Sequence, residues 1–197
     1  IPQGEECSAG TIVIPRGTEV TSTVQTVLTG LGLTEIAVNA MPRVLVLTSG
    51  HEVIEPGESL TAGKIYNSNR AMICGLLEDL GFHKITHYHV SDAPEELESE
   101  INHVLQLSED ADIIISSGGV SVGLFDIMPL IYEKLGAKSI YERIQMRPGA
   151  ASYGAVTPKG QIIFGLSGNP GAAFNGWHLI VAQTLKRYKG LVNWTTP

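Results

Sequence analysis

The sequence predicts an α/β fold: a three-layer α/β/α arrangement with a mostly parallel sheet, preceded by a short N-terminal strand-helix segment. Three observations carry this. Short runs of aliphatic, often β-branched residues alternate with stretches of helical periodicity. Val44-Leu45-Val46-Leu47 is continuously apolar, as strands covered on both faces are. Polar, glycine-containing loops at 48–52, 116–126 and 165–170 follow predicted strands, and right-handed crossovers bring such loops to one edge of the sheet.

The elements follow in chain order. A short strand is expected at Thr11-Ile12-Val13-Ile14, then a turn at Pro15-Arg16-Gly17. Thr21 or Ser22 can cap a helix whose apolar residues are Val24, Val27, Leu28 and Leu31, stopped by Gly32. A strand near Ile36-Ala37-Val38 is expected next. After Val44–Leu47 and a long polar loop, Ile73, Leu76, Leu77 and Leu80 form a helical stripe closed by Gly81. A strand from Lys84 to Val90 precedes a helix opened by Asp92-Ala93-Pro94-Glu95. Asp112 to Ile115 is a strand, and a helix begins at Ile127 and ends at Gly136. Strands are expected at Ile140–Met146 and Gln161–Phe164. A final helix runs through Phe174, Trp177, Val181 and Leu185 to Gly190. The expected organisation is an N-terminal segment over 1–40, the remnant of a preceding domain, an α/β domain over 41–190, and a tail over 191–197.

Composition narrows the function. With 43% hydrophobic and 17% charged residues, the chain can bury a substantial core. A net charge of −7 argues against nucleic acid as the main partner. No apolar run approaches a membrane span of roughly 20 residues. Cys7 and Cys74 match no metal spacing, so a reduced, cytoplasmic protein is the simplest reading. No signal peptide is read, and the start at Ile1-Pro2-Gln3-Gly4 is expected to be a cut from something longer.

The loop Ser116-Ser117-Gly118-Gly119-Val120-Ser121-Val122-Gly123-Leu124-Phe125-Asp126 is the most informative segment. Backbone N–H groups, serine hydroxyls and a helix N-terminus at a strand end suit a phosphate or other anion. It is neither a P-loop nor a dinucleotide fingerprint, because no Lys-Ser or Lys-Thr follows and the glycine spacing differs. Asp126 reads as a helix cap or as a metal or substrate ligand, and Asp92 has the same two readings. Alternation over 141–147 places Arg143, Gln145 and Arg147 on one strand face, either an anion clamp or a solvated edge. Glu52 stands in a loop after the first long strand. His83, His87 and His89 alternate on one strand face without an acid to complete a metal set.

Taken together, these segments resemble a known family. Thr48-Ser49-Gly50-His51-Glu52, Gly63-Lys64-Ile65-Tyr66-Asn67-Ser68-Asn69, Ser117 through Asp126, Arg147-Pro148-Gly149 and Gly165-Leu166-Ser167-Gly168-Asn169-Pro170 occur in the order found in MoeA-type proteins. That group includes the gephyrin E domain. Gly4-Glu5-Glu6-Cys7-Ser8-Ala9-Gly10 resembles a further family segment. The resemblance implies a MogA-like molybdopterin-binding fold and a role in molybdenum cofactor biosynthesis. It implies binding of adenylylated molybdopterin as substrate, insertion of molybdate, and a divalent metal, magnesium or zinc. It implies a homodimer and contact with a MogA-like adenylyltransferase. Catalytic positions would be Glu52, Asp92, Asp126, Arg143 and Arg147, with Glu52, Asp92 and Asp126 holding the metal. Ser117, Gly118, Gly119, Ser121, Gly123, Gly168, Asn169 and Pro170 would contact the pterin or its phosphate.

The chain departs from the family pattern at five places. His51 replaces an aspartate, Glu6 an aspartate, Ala93 the second aspartate of a pair, Ala150 a lysine and Ser167 a proline. These changes open an alternative: a divergent domain that binds the pterin or cofactor, or acts as a scaffold, without catalysing transfer.

Overall fold

A computed structural model describes residue 2, residues 4–119 and residues 126–189. Contacts divide the chain into two units, residues 1–40 with 184–197 and residues 41–183.

In the first unit the helix α1 spans Ser22–Gly30, and Thr21 caps it by accepting from the Val24 N–H at 3.4 Å. None of its residues is buried. The strands expected at Thr11–Ile14 and Ile36–Val38 do not form. Ile12 and Val38 are exposed, and no neighbouring strand pairs with their backbone. β-branched composition reflects fit to a half-buried pleated surface, and without that surface it does not impose a strand. Asn39 Nδ2 donates to the Lys189 carbonyl at 3.2 Å, and Lys189 pairs with Glu19 at 3.8 Å.

The second unit holds the sheet. Its strands are β1 (Val44–Ser49), β4 (Ile85–Val90), β5 (Ile113–Ser117), β6 (Lys138–Arg143), β7 (Ala151–Val156) and β8 (Ile162–Leu166), in the order β4-β1-β5-β8-β7-β6. β4, β1, β5 and β8 are mutually parallel, while β7 is antiparallel to both β8 and β6. Two short strands, β2 (Val53–Ile54) and β3 (Ile65–Tyr66), pair separately. The helices are α2 (Ser68–Asp79), α3 (Leu97–Ser108), α4 (Ile127–Lys134) and α5 (Pro170–Gly176). A π-helical turn at Trp177–Val181 follows, and then α6 (Ala182–Tyr188).

All six residues of β1 are buried, because helices cover both faces of the sheet. Leu45 and Leu47 pack with Val104 of α3, with Ile127, Met128 and Ile131 of α4, and with Ile114 and Ile163. Val44 and Val46 point the other way, to the face where α2 and α5 lie together. The alternation makes one apolar run serve two layers.

Several boundaries differ from the sequence reading. β7 was not expected, since Ala-Ser-Tyr-Gly-Ala-Val lacks a β-branched run. Gly154 is needed there because a Cβ would meet the Tyr141 ring across the ladder. β6 ends at Arg143, so Gln145 and Arg147 lie outside the strand and do not share a strand face with it. His83 precedes β4, so the three histidines do not form one row. Glu96, not Asp92, occupies the cap position of α3. The final helix is broken into α5, the π turn and α6. Its expected end at Gly190 and the tail lie outside the described residues.

Candidate functional site

The carboxyl ends of the adjacent strands β1, β5 and β8 open onto one cavity of about 510 Å³. That size suits a small organic molecule. β1 contributes Thr48 and Ser49 and the turn Gly50-His51-Glu52; β5 contributes Ser117 and then Gly118 and Gly119; Ser167 and Gly168 follow β8. Asp92 comes from the end of β4, Asp126 from the start of α4, Asn67 and Asn69 from the start of α2, and Ala151 from β7.

Glycine is required where the β5 loop turns. Gly118 has φ +88° and Gly119 φ +61°, values that L side chains rarely adopt. A Cβ on Gly118 would stand 2.6 Å from the Ser49 carbonyl oxygen, and one on Gly119 would stand 2.9 Å from Ser49 Oγ. The β5 turn therefore lies flat against the end of β1.

The hydroxyls of Ser116 and Ser117 and one amide are engaged within the protein. Ser116 bonds the buried Tyr132 hydroxyl beneath the loop, and burial pushes that phenol well up. Ser117 donates to the Ser167 carbonyl at 3.1 Å and accepts from Asn69 Nδ2 at 2.8 Å. The Gly118 N–H donates to the Leu166 carbonyl at 3.2 Å. As arranged, the Ser117 hydroxyl has no proton left to offer an anion.

Two asparagines at the start of α2 organise the floor. Asn67 caps α2 by accepting from the Arg70 N–H at 3.1 Å. Its amide nitrogen donates to Thr48 Oγ1 at 2.9 Å and to Glu55 Oε1 at 2.8 Å. Thr48 Oγ1 also meets His87 Nε2 and His89 Nδ1, each at 3.1 Å. Burial and then the nearby Arg70 guanidinium push His87 down to about 4. Burial pulls the Glu55 carboxyl upward, but hydrogen bonds from Asn67 and Arg70 outweigh it and hold Glu55 below its usual range. Asn69 Nδ2 donates to Ser117 Oγ and to the Gly168 carbonyl, both at 2.8 Å. Ser49 Oγ and Asn69 Oδ1 are buried with no hydrogen-bond partner among the described residues. Each such group costs about 1–3 kcal/mol.

Glu52, Asp92 and Asp126 all line the cavity. His51 Nδ1 lies 3.7 Å from Glu52 Oε2 and 3.8 Å from Asp92 Oδ2, with its side chain 83% exposed. Among the described residues no three His, Cys, Asp or Glu side chains gather into a metal cage. Magnesium is usually bound by one or two carboxylates with water and substrate phosphate, not by a full protein cage. The oxygen donors present fit that mode.

Other expected positions fall differently. Asp126 occupies the cap position of α4 but makes no side-chain capping bond there. Asn169 caps α5, with Oδ1 accepting from the Ala172 N–H at 3.1 Å; Pro170 is its first helical residue, and neither lines the cavity. Arg143 and Arg147 do not line it either. Arg143 pairs in register with Ala151, which does. Ser121 and Gly123 lie outside the described residues. Ser49, Asn67 and Asn69 were not anticipated as site residues. The signal for Asn67 was its position before a helix; for Ser49 and Asn69 there was none beyond their place in the motifs.

Comparison with known proteins agrees with this architecture. The family described as a probable molybdopterin binding domain matches residues 45–187. A molybdopterin molybdenumtransferase of Staphylococcus epidermidis is 36% identical over 192 residues, covering 95% of this chain and 44% of that protein. The chain thus spans under half the length of this relative. The molybdopterin biosynthesis MoeA protein from Pyrococcus horikoshii superposes with TM-score 0.74 at 25% identity, over 91% of this chain and 44% of that one. The Mog protein from Mycobacterium ulcerans shares the fold, with TM-score 0.53 at 18% identity over 74% of this chain and 98% of that one. With the parallel sheet, the strand-end cavity and a family match that covers most of the chain, the protein belongs to the molybdopterin-binding domain family, in its MoeA-like branch.

Proposed function

We propose that the strand-end cavity binds adenylylated molybdopterin and that the protein inserts molybdate into it with release of AMP. The observation that carries this reading is the meeting of Glu52, Asp92 and Asp126 in one cavity with the glycine turn after β5. One or two of the carboxylates Glu52, Asp92 and Asp126 would hold magnesium together with water and substrate phosphate, and the ion when bound would polarise the phosphoanhydride. The amides at Gly119 and at the N-terminus of α4 would face phosphate. Arg143 and Arg147 would approach the oxyanion from the rim, Arg143 one strand beyond Ala151. A cytoplasmic location, a homodimer and a MogA-like supplier of the adenylylated substrate belong to the same proposal. No helix among the described residues is long and apolar enough to cross a membrane.

One observation favours a second reading. His51 stands between Glu52 and Asp92, where a nitrogen base occupies space beside the carboxylates. A domain that binds the pterin without turning it over would tolerate that change.

The test is incubation of the intact protein with molybdopterin adenylate, magnesium and molybdate. AMP release that requires all three supports transfer. Binding by calorimetry without release supports the second reading, and absence of binding removes both.

A further inference from the structure

Asn69 and Asn67 stand two residues apart and use their amides differently. Asn67 employs both ends: its oxygen caps α2, and its nitrogen bonds Thr48 and Glu55. Asn69 employs only its nitrogen.

The orientation of the Asn69 amide is fixed by chemistry. The Gly168 carbonyl can only accept, so the group facing it must be the NH2. Ser117 gives its one proton to the Ser167 carbonyl and so must accept from Asn69. A flip would set oxygen against two acceptors. Oδ1 is therefore an acceptor with no alternative role, held by loops from β5 and β8. Asn69 is 9% exposed, lines the cavity and leaves this oxygen without a partner among the described residues. Ser49, 7% exposed on the end of β1, repeats the situation with its Oγ. Two buried oxygens, on residues from different elements that line the same cavity, are thus unmatched among the described residues. Buried polar groups are ordinarily paired, and an orphan needs an explanation.

We propose that Asn69 Oδ1 is a specificity-determining acceptor that takes a hydrogen bond from an N–H of the heterocycle bound in this cavity, with Ser49 Oγ as a second polar contact beside it. This rests on the reading of the cavity as a molybdopterin site and assigns the floor to the ring. An acceptor-only oxygen repels an ionised phosphate and selects a donor. Ring or exocyclic N–H groups occur on both the pterin and the adenine of an adenylylated substrate. The shared chemistry is the N–H donor.

The experiment uses the intact protein with 13C,15N-labelled asparagine, titrated separately with molybdopterin, AMP and inorganic phosphate. A new hydrogen bond at Oδ1 shifts the Asn69 carbonyl carbon, whereas a purely structural staple leaves it in place. The expected result is a saturable shift with molybdopterin or AMP, whichever supplies the ring, and none with phosphate alone. Calorimetry on Asn69→Ala and Ser49→Ala should show affinity for that ring-bearing probe reduced about tenfold or more for Asn69→Ala, the size of one lost buried hydrogen bond, and less for Ser49→Ala. If molybdopterin or AMP binds wild type while the Asn69 carbon does not move, the assignment is overturned and the molybdopterin site stands. If neither binds, both readings fall. The spectroscopic arm needs no variant, so a failure of Asn69→Ala to fold leaves the decision intact.

Discussion

Asp126 and Asn169 occupy the same local position, the residue before a helix, and do different things. Asn169 accepts the Ala172 N–H, as a cap should. Asp126 makes no capping bond with its side chain and lines the cavity. Replacing Asn169 with alanine should lower stability by about 1 kcal/mol, read as a shifted urea midpoint. Its affinity for molybdopterin should stay close to wild type. Asn serves as well as Asp before a helix, so Asp126→Asn should leave folding nearly intact by the same midpoint. It should weaken magnesium-dependent binding of molybdopterin adenylate at least tenfold by calorimetry. Equal affinities with and without magnesium in wild type and variant would remove Asp126 from the metal set.

At the scale of elements, the turn after β5 depends on one atom that is not there. Gly118→Ala would place a methyl carbon against the Ser49 carbonyl at a backbone angle hostile to L residues. Strain of this kind costs about 1–3 kcal/mol. Thermal unfolding should show that loss, and molybdopterin affinity should fall with it because the turn must lift away from β1. An unchanged melting temperature would mean the turn relaxes freely. The same scale shows what was legible beforehand. β1, β5, α2 and α4 were readable because their apolar periods are strong and both faces of the sheet demand them. The convergence of the loops after β1, β5 and β8 was readable because such loops meet at one edge of a parallel sheet. β7 was not, because small residues accommodate Tyr141 instead of advertising a strand. The shared strand face read for Arg143, Gln145 and Arg147 does not form, because β6 stops at Arg143. The orphaned oxygens of Ser49 and Asn69 were invisible, since a missing partner exists only after distant loops have met.

For the molecule as a whole, acid should act through the buried edge of the site. His87 titrates near 6.5 when unfolded but is pushed down to about 4 in the fold. Between those values the unfolded chain binds a proton that the folded chain refuses, so stability rises with pH there. The contribution is complete above about pH 6.5 and is lost as the pH falls toward 4. Glu55, held below its usual range, loses its own contribution at lower pH still. The His87 ring meets Thr48, with His89, Arg70 and Glu55 around it. Urea midpoints at pH 7.5, 6 and 5 should decline for wild type and decline less for His87→Gln. Parallel declines would show that other groups control the acid response.

The strand order also sets when the site can exist. β1, β5 and β8 are neighbours in the sheet, yet residues 49, 117 and 167 are far apart along the chain. Contacts of such separation form late and slowly. During synthesis the pocket stays incomplete until β8 and the loop after it have emerged and β8 has paired with β5. Ligand capture therefore reports completed folding of the sheet, and a bound pterin would select finished molecules from partly folded ones.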